Sequence, residues 1–399
     1  MTPLASPKLQ IDLKHHNLSL VYMLLLEAGP LSRIELAKRT GLSATSMTRI
    51  VSRLTEMGLV AEQASAGLGT TGRPATRIDV RADAAYCLCV DLTVYHCKLA
   101  VFDVRKNFIA YRELHIPAHV AFEELADEIA DMLPELAESC GIPLSKIRRC
   151  GVSLSGHVLN DTGRIAASSQ FKFLNVDAKG ILENTLHIPV TVDNDCKCAL
   201  IGENTFLQRE KRPAGNIVYI EFGWGGVGSA VMIDGRLLRG TRNAAGEIGH
   251  ITAVPDGALC NCGRRGCFET VLSAQAIVRR AQAINPAYSS IEAITAALWG
   301  RDERLDALMD EVADFIAVAI NDVSCAYNPD VVILNGALVT TCGACFIRAK
   351  EHFEERLITS LNPNMEIRIA RMGTNASMYG VGCVAMDEEL RAMLMKLEI

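Results

Sequence analysis

Residues 85–104, AYCLCVDLTVYHCKLAVFDV, decide the fold. Two apolar runs rich in β-branched and small residues flank a short polar break. That is the pattern of a buried strand, a turn and a second strand. NFIAYRELHI at 107–116 reads as a third strand. From Ala121 to about Cys140 the period changes, and Phe122, Leu125, Ile129 and Leu133 recur at helical spacing. IRRCGVSLSG at 147–156 is a strand ending in a glycine loop, and IPVTVDNDC at 188–196 is a strand ending in two acids. The same grammar then repeats. NIVYIEFGWGGVGSAVMIDGRLL at 216–238 is strand, glycine turn, strand. Helical segments follow at about 271–284 and 305–326, and PDVVILNGALV at 329–339 is again strand plus glycine loop. Two α/β lobes of matching order leave a cleft between them, where ligands generally bind. A last amphipathic helix, 376–397, closes the chain against one lobe.

The remaining N-terminal 80 residues are a different kind of module. They hold nine Lys/Arg against six Asp/Glu, a net of +3, whereas the other residues carry 31 against 40, a net of -9. The overall -6 therefore hides a basic module on an acidic body. Within residues 17–60 three helical periods appear, the first from Leu18 to Glu27, halted by Gly29-Pro30. Ser32 and Glu35 form a capping-box pattern that opens a second helix through Arg39. Gly41 gives a tight turn, and Ser43 caps a third helix over about 44–57, with Met47, Ile50, Val51 and Leu54 on its apolar stripe.

Two helices joined by a glycine turn make a helix-turn-helix pattern. Thr45, Ser46, Thr48 and Arg49 fall on the exposed start of the third helix, where hydroxyls and a long cation suit base edges and phosphates. Leu59-Val60 and Thr76–Ile78 pair around a loop to form a wing that carries Arg73 and Arg77. A three-helix protein-interaction module is the competing reading; the charge split and the wing favour double-stranded DNA. The domains are thus a winged helix-turn-helix at 1–80, a first lobe at 81–200, and a second lobe with the last helix at 201–399.

Length and composition fit this division: 399 residues exceed one comfortable core, and 49% apolar with 22% charged residues excludes a disordered chain. No leader pattern and no 18-residue apolar segment is present, so the expected location is the cytoplasm, without membrane insertion. There the fourteen cysteines are thiols or ligands rather than disulfides. Eleven read as small core residues; Cys260, Cys262 and Cys267 are clustered and need another account.

Chemistry gathers in three places. Asn194 and Asp195 stand at a strand end, where a carboxylate can accept a hydrogen bond or a proton from a ligand hydroxyl; a plain helix cap explains them equally well. In AGEIGH, 245–250, and CNCGRRGCFE, 260–269, glycines flank Glu247 and His250. The C-x-C-x4-C spacing with His250 ten residues upstream supplies a closed Cys3His set, suited to structural zinc, with Gly263 and Gly266 permitting a tight loop. A metal-free thiol cluster is the bland alternative. His157 and His187 are poorer ligand candidates because a whole strand-helix unit separates them. The fixed loop would present Glu247 and Glu269 to vicinal hydroxyls. The glycine turns at 222–228 and 335–339 can hold phosphate or ring hydroxyls, a weak signal by itself. Trp224 stacks on a ligand or packs in the core; Arg264 and Arg265 bind a sugar phosphate or are simply solvated; the thiols of Cys342 and Cys345, despite their spacing, read as loop thiols.

Together, GEIGH with CNCGRRGCFE, VDND at 192–195, and YNPDVVILNGALV resemble the ROK family of sugar kinases, related reading frames and sugar-responsive repressors. The N-terminal module ending in GRPATRI resembles the repressor branch, near the glucose and N-acetylglucosamine regulators. The resemblance implies an actin-like ATPase fold with a hexose in the interlobe cleft. It implies sugar contacts from Asn194, Asp195, Glu247, His250 and Glu269, and zinc ligation by His250, Cys260, Cys262 and Cys267. Asp195 sits where the kinases have their catalytic base.

The departures lie on the nucleotide side. Family kinases open with Asp-x-Gly-x-Thr, but here Asp91 is followed by Thr93 at the glycine position and Tyr95 at the hydroxyl position. A β-branched residue resists the turn that glycine allows. Asn335-Gly336-Ala337 likewise replaces paired glycines. The expectation is a sugar- or sugar-phosphate-responsive repressor without enzymatic activity, acting as a homodimer or homotetramer on a two-fold operator. The competing expectation is an ATP-dependent hexose kinase with a DNA-binding appendage. Neither the effector, the operator nor a protein regulator is legible.

Overall fold

The computed structural model describes residues 7–64, 76–93, 96–117, 120–299, 302–356 and 364–395. Arg73 and Tyr95 lie outside the described residues.

The N-terminal helix is Pro7–Ala28, eleven residues longer at its start than the apolar period suggested. Gly29, at φ +78°, ends it. The second helix, Arg33–Thr40, has the expected capping box: Ser32 accepts from the Glu35 amide while the Glu35 carboxylate accepts from the Ser32 amide. Gly41 takes the left-handed conformation, φ +72°, and its N–H closes on Ala37 O. The third helix is Ala44–Glu56, N-capped by Ser43. Its stripe of Met47, Val51 and Leu54 is fully buried against Leu18, Tyr22, Leu25 and Leu36. The wing strands Val60–Ala64 and Thr76–Val80 pair antiparallel, and Leu31–Ser32 adds to the outer edge of the second.

Each lobe is built on a five-stranded mixed sheet. In the first, Tyr86–Thr93 lies central, with His96–Asp103 and then Phe108–His115 antiparallel on one side. Ile147–Leu154 and then Val190–Asn194 run parallel on the other. In the second, Ile217–Phe222 lies central, with Val227–Ile233 and Arg236–Leu237 antiparallel on one side and Val331–Asn335 and Glu366–Ile369 parallel on the other. Strand for strand the two sheets have the same order, so the repeated sequence grammar is a repeated topology. The first lobe adds a small three-stranded meander, His157–Leu159, Arg164–Ser168 and Phe173–Val176, which no periodic signal announced.

Residue 200 falls inside the helix Asp195–Arg209, which leads from the first sheet into the second lobe. The last described helix, Ala376–Met395, turns back to the first lobe and crosses that helix. The crossing is close because both helices bring glycine to it. A Cβ on Gly380 would stand 1.7 Å from Cys198 O, and one on Gly202 2.6 Å from Ala376 O. The far end of the last helix, through Ala385, Met386, Leu390 and Leu394, joins the core of the winged module. Of the eleven scattered cysteines nine are buried; Cys140 is half-buried and Cys325 exposed. Cys342 and Cys345 are core residues at the start of the helix Gly343–Arg356, not loop thiols. Among the described residues no helix is long and apolar enough to cross a membrane.

Candidate functional site

The cleft collects residues from the carboxyl ends of five strands. Asp91 to Thr93, Ser155, Asn194 with Asp195, Glu221 with Gly223, and Asn335 all sit where strands give way to loops. They line two adjoining cavities of about 360 Å³ each. Both cavities share Ser155, Gln170, Asp195, Cys196, Glu221 and Gly223, so Asp195 stands at their junction.

The first cavity brings together Asn194, Asp195, Glu247, His250 and Glu269, with Ser155, His157, Gln170 and Asn261 completing its polar wall. All five of the sugar-contacting candidates face it. Asn194 caps the helix that Asp195 begins, accepting from the Lys197 amide at 3.1 Å and donating to Asp195 Oδ1 at 2.8 Å. Asp195 Oδ1 also accepts from the Cys196 amide at 2.8 Å. The cap and the carboxylate are therefore one arrangement: the helix start both uses and aims these side chains. Burial, helped by the charge of Asp91, raises the Asp195 carboxyl to about 6.

Beside this cavity His250, Cys260, Cys262 and Cys267 place one ligand atom each within 4.8 Å of all the others. His250 Nδ1 lies 3.7 Å from Cys260 Sγ, and Cys262 Sγ lies 3.7 Å from Cys267 Sγ. With Nδ1 turned to the thiols, the rest of the imidazole is left on the cavity wall. The Arg264 amide, hydrogen-bonded to the Cys262 sulfur, draws that thiol down to about 6, toward the thiolate a metal needs. Gly266 is required twice over: its φ is +73°, and a Cβ there would sit 1.7 Å from Val254 O. The donor set and its closeness fit a tetrahedral metal ion. His157 instead meets Arg242 O through Nε2 at 2.7 Å, and His187 ends the helix Ala178–Leu186. Arg264 and Arg265 are exposed, the latter bonded to Gly257 O.

The second cavity lies on the Asp91 and Thr93 side of the cleft. Thr93 is the last residue of its strand, paired with His96, and sits on the cavity wall. Around it stand Asp91, Glu113, Asp195 and Glu221, with Lys98 and His96 as the basic groups. Lys98 donates to Thr374 O at 3.2 Å, and His96 pairs with Glu113 at 2.9 Å. Glu221 is held by Tyr219 OH at 2.6 Å and by Asn335 Nδ2 at 2.8 Å, and burial raises its carboxyl to about 7. Asp91 accepts from Ser153 and Ser377, yet its Oδ2 has no partner. Burial raises this carboxyl too. Trp224 is half-exposed on the same wall rather than in the core.

Glu221 escaped the sequence reading, although a lone acid inside the apolar run NIVYIEF was a visible anomaly. Also missed was a clamp across the cleft. Asp193, 1% exposed, pairs with Arg239 at 2.7 Å and accepts from Asn243 Nδ2 at 3.0 Å. Asn243 Nδ2 also donates to Val158 O, and Arg239 donates to Asn243 Oδ1. First-lobe strands are thereby tied to the second-lobe loop before Glu247.

On the winged module Thr45, Ser46, Thr48 and Arg49 form one exposed face of the third helix. The Thr48 hydroxyl bonds back to Ala44 O, and Arg49 makes no ion pair among the described residues. Arg77 is exposed on the wing strand and donates to Pro30 O at 3.4 Å.

These features define a winged helix-turn-helix protein whose body has the actin-like ATPase fold of sugar kinases. The ROK family model matches residues 87–388, and the chain belongs to that family. A MarR family model matches residues 12–67. The N-acetylglucosamine repressor of Escherichia coli O157:H7 is 27% identical over 85% of this chain and 85% of its own length. A glucokinase of Halalkalibacterium halodurans is 30% identical over 66% of this chain and 84% of its own. The crystal structure of a ROK family transcriptional regulator, a homolog of the E. coli MLC protein, superposes with a TM-score of 0.81 at 23% identity, covering 96% of this chain and 98% of that one. Likeness that spans the N-terminal module as well is to transcriptional regulators of the family: the xylose repressor of Bacillus subtilis (strain 168) is 23% identical over 97% of this chain and 99% of its own length.

Proposed function

We propose that this chain is a sugar-responsive DNA-binding transcriptional regulator, a repressor without kinase activity, holding a structural zinc ion in the His250 loop. One observation carries the reading. An exposed recognition-type helix and a sugar-type cleft share one chain, while the other side of that cleft is walled by Glu113 and Glu221 and has the β-branched Thr93 at the end of its strand. A triphosphate entering there meets carboxylates where a kinase offers glycine amides and a cation.

The expected cycle joins the parts in order. A hexose, amino sugar or sugar phosphate bonds to Asn194, Asp195, Glu247, His250 and Glu269. Asp195 begins a helix that is crossed by the last helix, and the last helix carries the winged module in its core. Ligand closure of the lobes therefore shifts the spacing of two winged modules in a homodimer, or in a homotetramer, and weakens operator binding. The test is fluorescence anisotropy of the purified chain on operator fragments selected from random DNA, titrated with sugars and their phosphates. A fall in DNA affinity with one ligand is expected; an affinity unmoved by every sugar at saturation sinks the reading.

Retention of Asp195 at the junction of the two cavities supports a second reading, an ATP-dependent hexose kinase with a DNA-binding appendage. Phosphate transfer to a sugar that disappears in Asp195→Ala would establish it, and failure to bind ATP would dismiss it.

A further inference from the structure

We infer that Arg105 is a positioning residue that carries movement of the cleft to the wing, receiving it from the far end of the helix that Asp195 begins. This rests on the proposed sugar-sensing role and names the joint through which that role reaches DNA. The helix Asp195–Arg209 starts at the junction of the two cavities, and its 15 residues place its other end about 22 Å away. There Arg209 Nη2 donates to Arg105 O at 3.2 Å, and its guanidinium lies 5.7 Å from the ring centre of Tyr379 on the last helix. Arg105 belongs to the turn joining the strands His96–Asp103 and Phe108–His115. Its side chain reaches out of the first lobe, donating through Nη2 to Asp79 Oδ1 and, at 3.3 Å, to Val80 O. Both partners lie on Thr76–Val80, the middle strand of the wing sheet, which also carries Arg77.

The turn is built to transmit a displacement rather than absorb it. Asp103, 4% exposed, accepts from the Asn107 amide at 2.9 Å and from Asn107 Nδ2 at 3.0 Å, which stiffens the turn. On one side of Arg105, Val104 is buried in the core of the winged module. On the other, Lys106 pairs with Asp387 of the last helix at 2.8 Å. The Arg105 and Asp79 side chains are 28% and 19% exposed, so solvent screens this pair less than one on the open surface. A shift of the helix end therefore moves the turn, and the turn moves the wing strand. The modules are also joined at their linker, where Lys146 donates to Asp83 O at 2.8 Å and to Asp83 Oδ2 at 3.0 Å. That contact ties the linker to the first lobe without engaging the helix from the cleft, and it serves as a control.

The test is hydrogen exchange of the wing-strand segment 76–80 in the full, ligand-free chain, read by mass spectrometry. Arg105→Ala and Arg209→Ala should each speed exchange there by about fivefold, although Arg209 does not touch the wing. With one route between them, the double variant should exchange no faster than Arg105→Ala alone. Arg105→Lys keeps a cation for Asp79 and should restore most of the protection, and it carries the test should Arg105→Ala fail to fold. Lys146→Ala should leave the effect of Arg209→Ala intact. A wing strand indifferent to Arg209→Ala overturns the inference, as do single effects that multiply in the double variant, or an Arg209→Ala effect that vanishes with Lys146→Ala. A second readout is operator affinity titrated with glucose, xylose and N-acetylglucosamine. Arg105→Ala should bind the same sugar as the natural chain while releasing less DNA; an undiminished release overturns the inference. If no sugar moves operator affinity while the exchange results hold, the sensing role fails and the joint stands.

Discussion

At the scale of single residues, the carboxyls of the cleft are held away from their ordinary values, and this has a consequence for stability. Asp195 moves from 3.8 to about 6 and Glu221 from 4.5 to about 7, in both cases mainly through burial. Between about pH 4 and pH 7 the unfolded chain therefore releases these protons before the folded chain does. The folded state binds more protons in that window, so stability falls as pH rises through it. Asp195→Asn and Glu221→Gln remove this burden. Because both groups border a water-accessible cavity, a contribution of about 1 kcal/mol each is the expected size. The ligand-free double variant should melt roughly 2–4 °C above the natural chain at pH 8, with the gap closing toward pH 4.5. A gap that is constant across that range, in thermal denaturation followed by circular dichroism, would show that these carboxyls do not titrate as described. Charge placement of this kind was half legible in the sequence. Asp195 stood out at a strand end, whereas Glu221 showed only as an acid inside an apolar run, and strand periodicity says which way a side chain points and nothing about the charges it will meet.

At the scale of elements, the third helix and the thiol loop each make a separable prediction. Arg49 sits on the exposed face of the helix Ala44–Glu56 and takes no part in the helix's buried stripe of Met47, Val51 and Leu54. Arg49→Ala should leave the melt unchanged, weaken operator binding by about tenfold, and reduce the slope of log affinity against log salt by about one. An undiminished affinity would remove this helix from the interface. In the loop, Cys262 is the exposed ligand candidate, so its replacement opens no cavity in the core. Cys262→Ser should lower bound zinc from one ion per chain, measured by plasma emission, and lower the melting temperature by several degrees, as loss of a folding-coupled metal requires. A natural chain purified without zinc whose melt ignores both the substitution and a chelator would dismiss the metal. Glycine and cap chemistry made these elements readable beforehand: Ser32 with Glu35, Gly41, Ser43, Gly263 and Gly266 are local signals. The meander at 157–176 and the helix Gly343–Arg356 were not, because short strands and a helix with cysteines at its start lack a sustained period.

At the scale of the whole molecule, the sequence repeat foretold two lobes but not what fastens them, since the partners of Asp193 lie 46 and 50 residues further along the chain. Asp193 is the centre of that fastening. Its carboxylate is buried, one oxygen meeting Arg239 at 2.7 Å and the other Asn243 Nδ2 at 3.0 Å. Removing the arginine alone leaves a buried anion with two neutral donors on one oxygen, the Asn243 amide and the Asn194 backbone N–H, and none on the other, a loss of about 2–3 kcal/mol given that Arg239 itself is partly exposed. Arg239→Ala should therefore lower the melting temperature by roughly 5 °C at pH 7. Asp193→Asn in the Arg239→Ala background removes the stranded charge while keeping an oxygen for Asn243, and should recover part of that loss. The cycle of two single variants and the double measures the coupling directly. Losses that simply add would show that the two side chains stabilise their own lobes and do not fasten one to the other. If they do fasten, the same Arg239→Ala chain should also bind operator with a weakened response to sugar. A cleft already free to open and close leaves the ligand less difference between its two states on which to act.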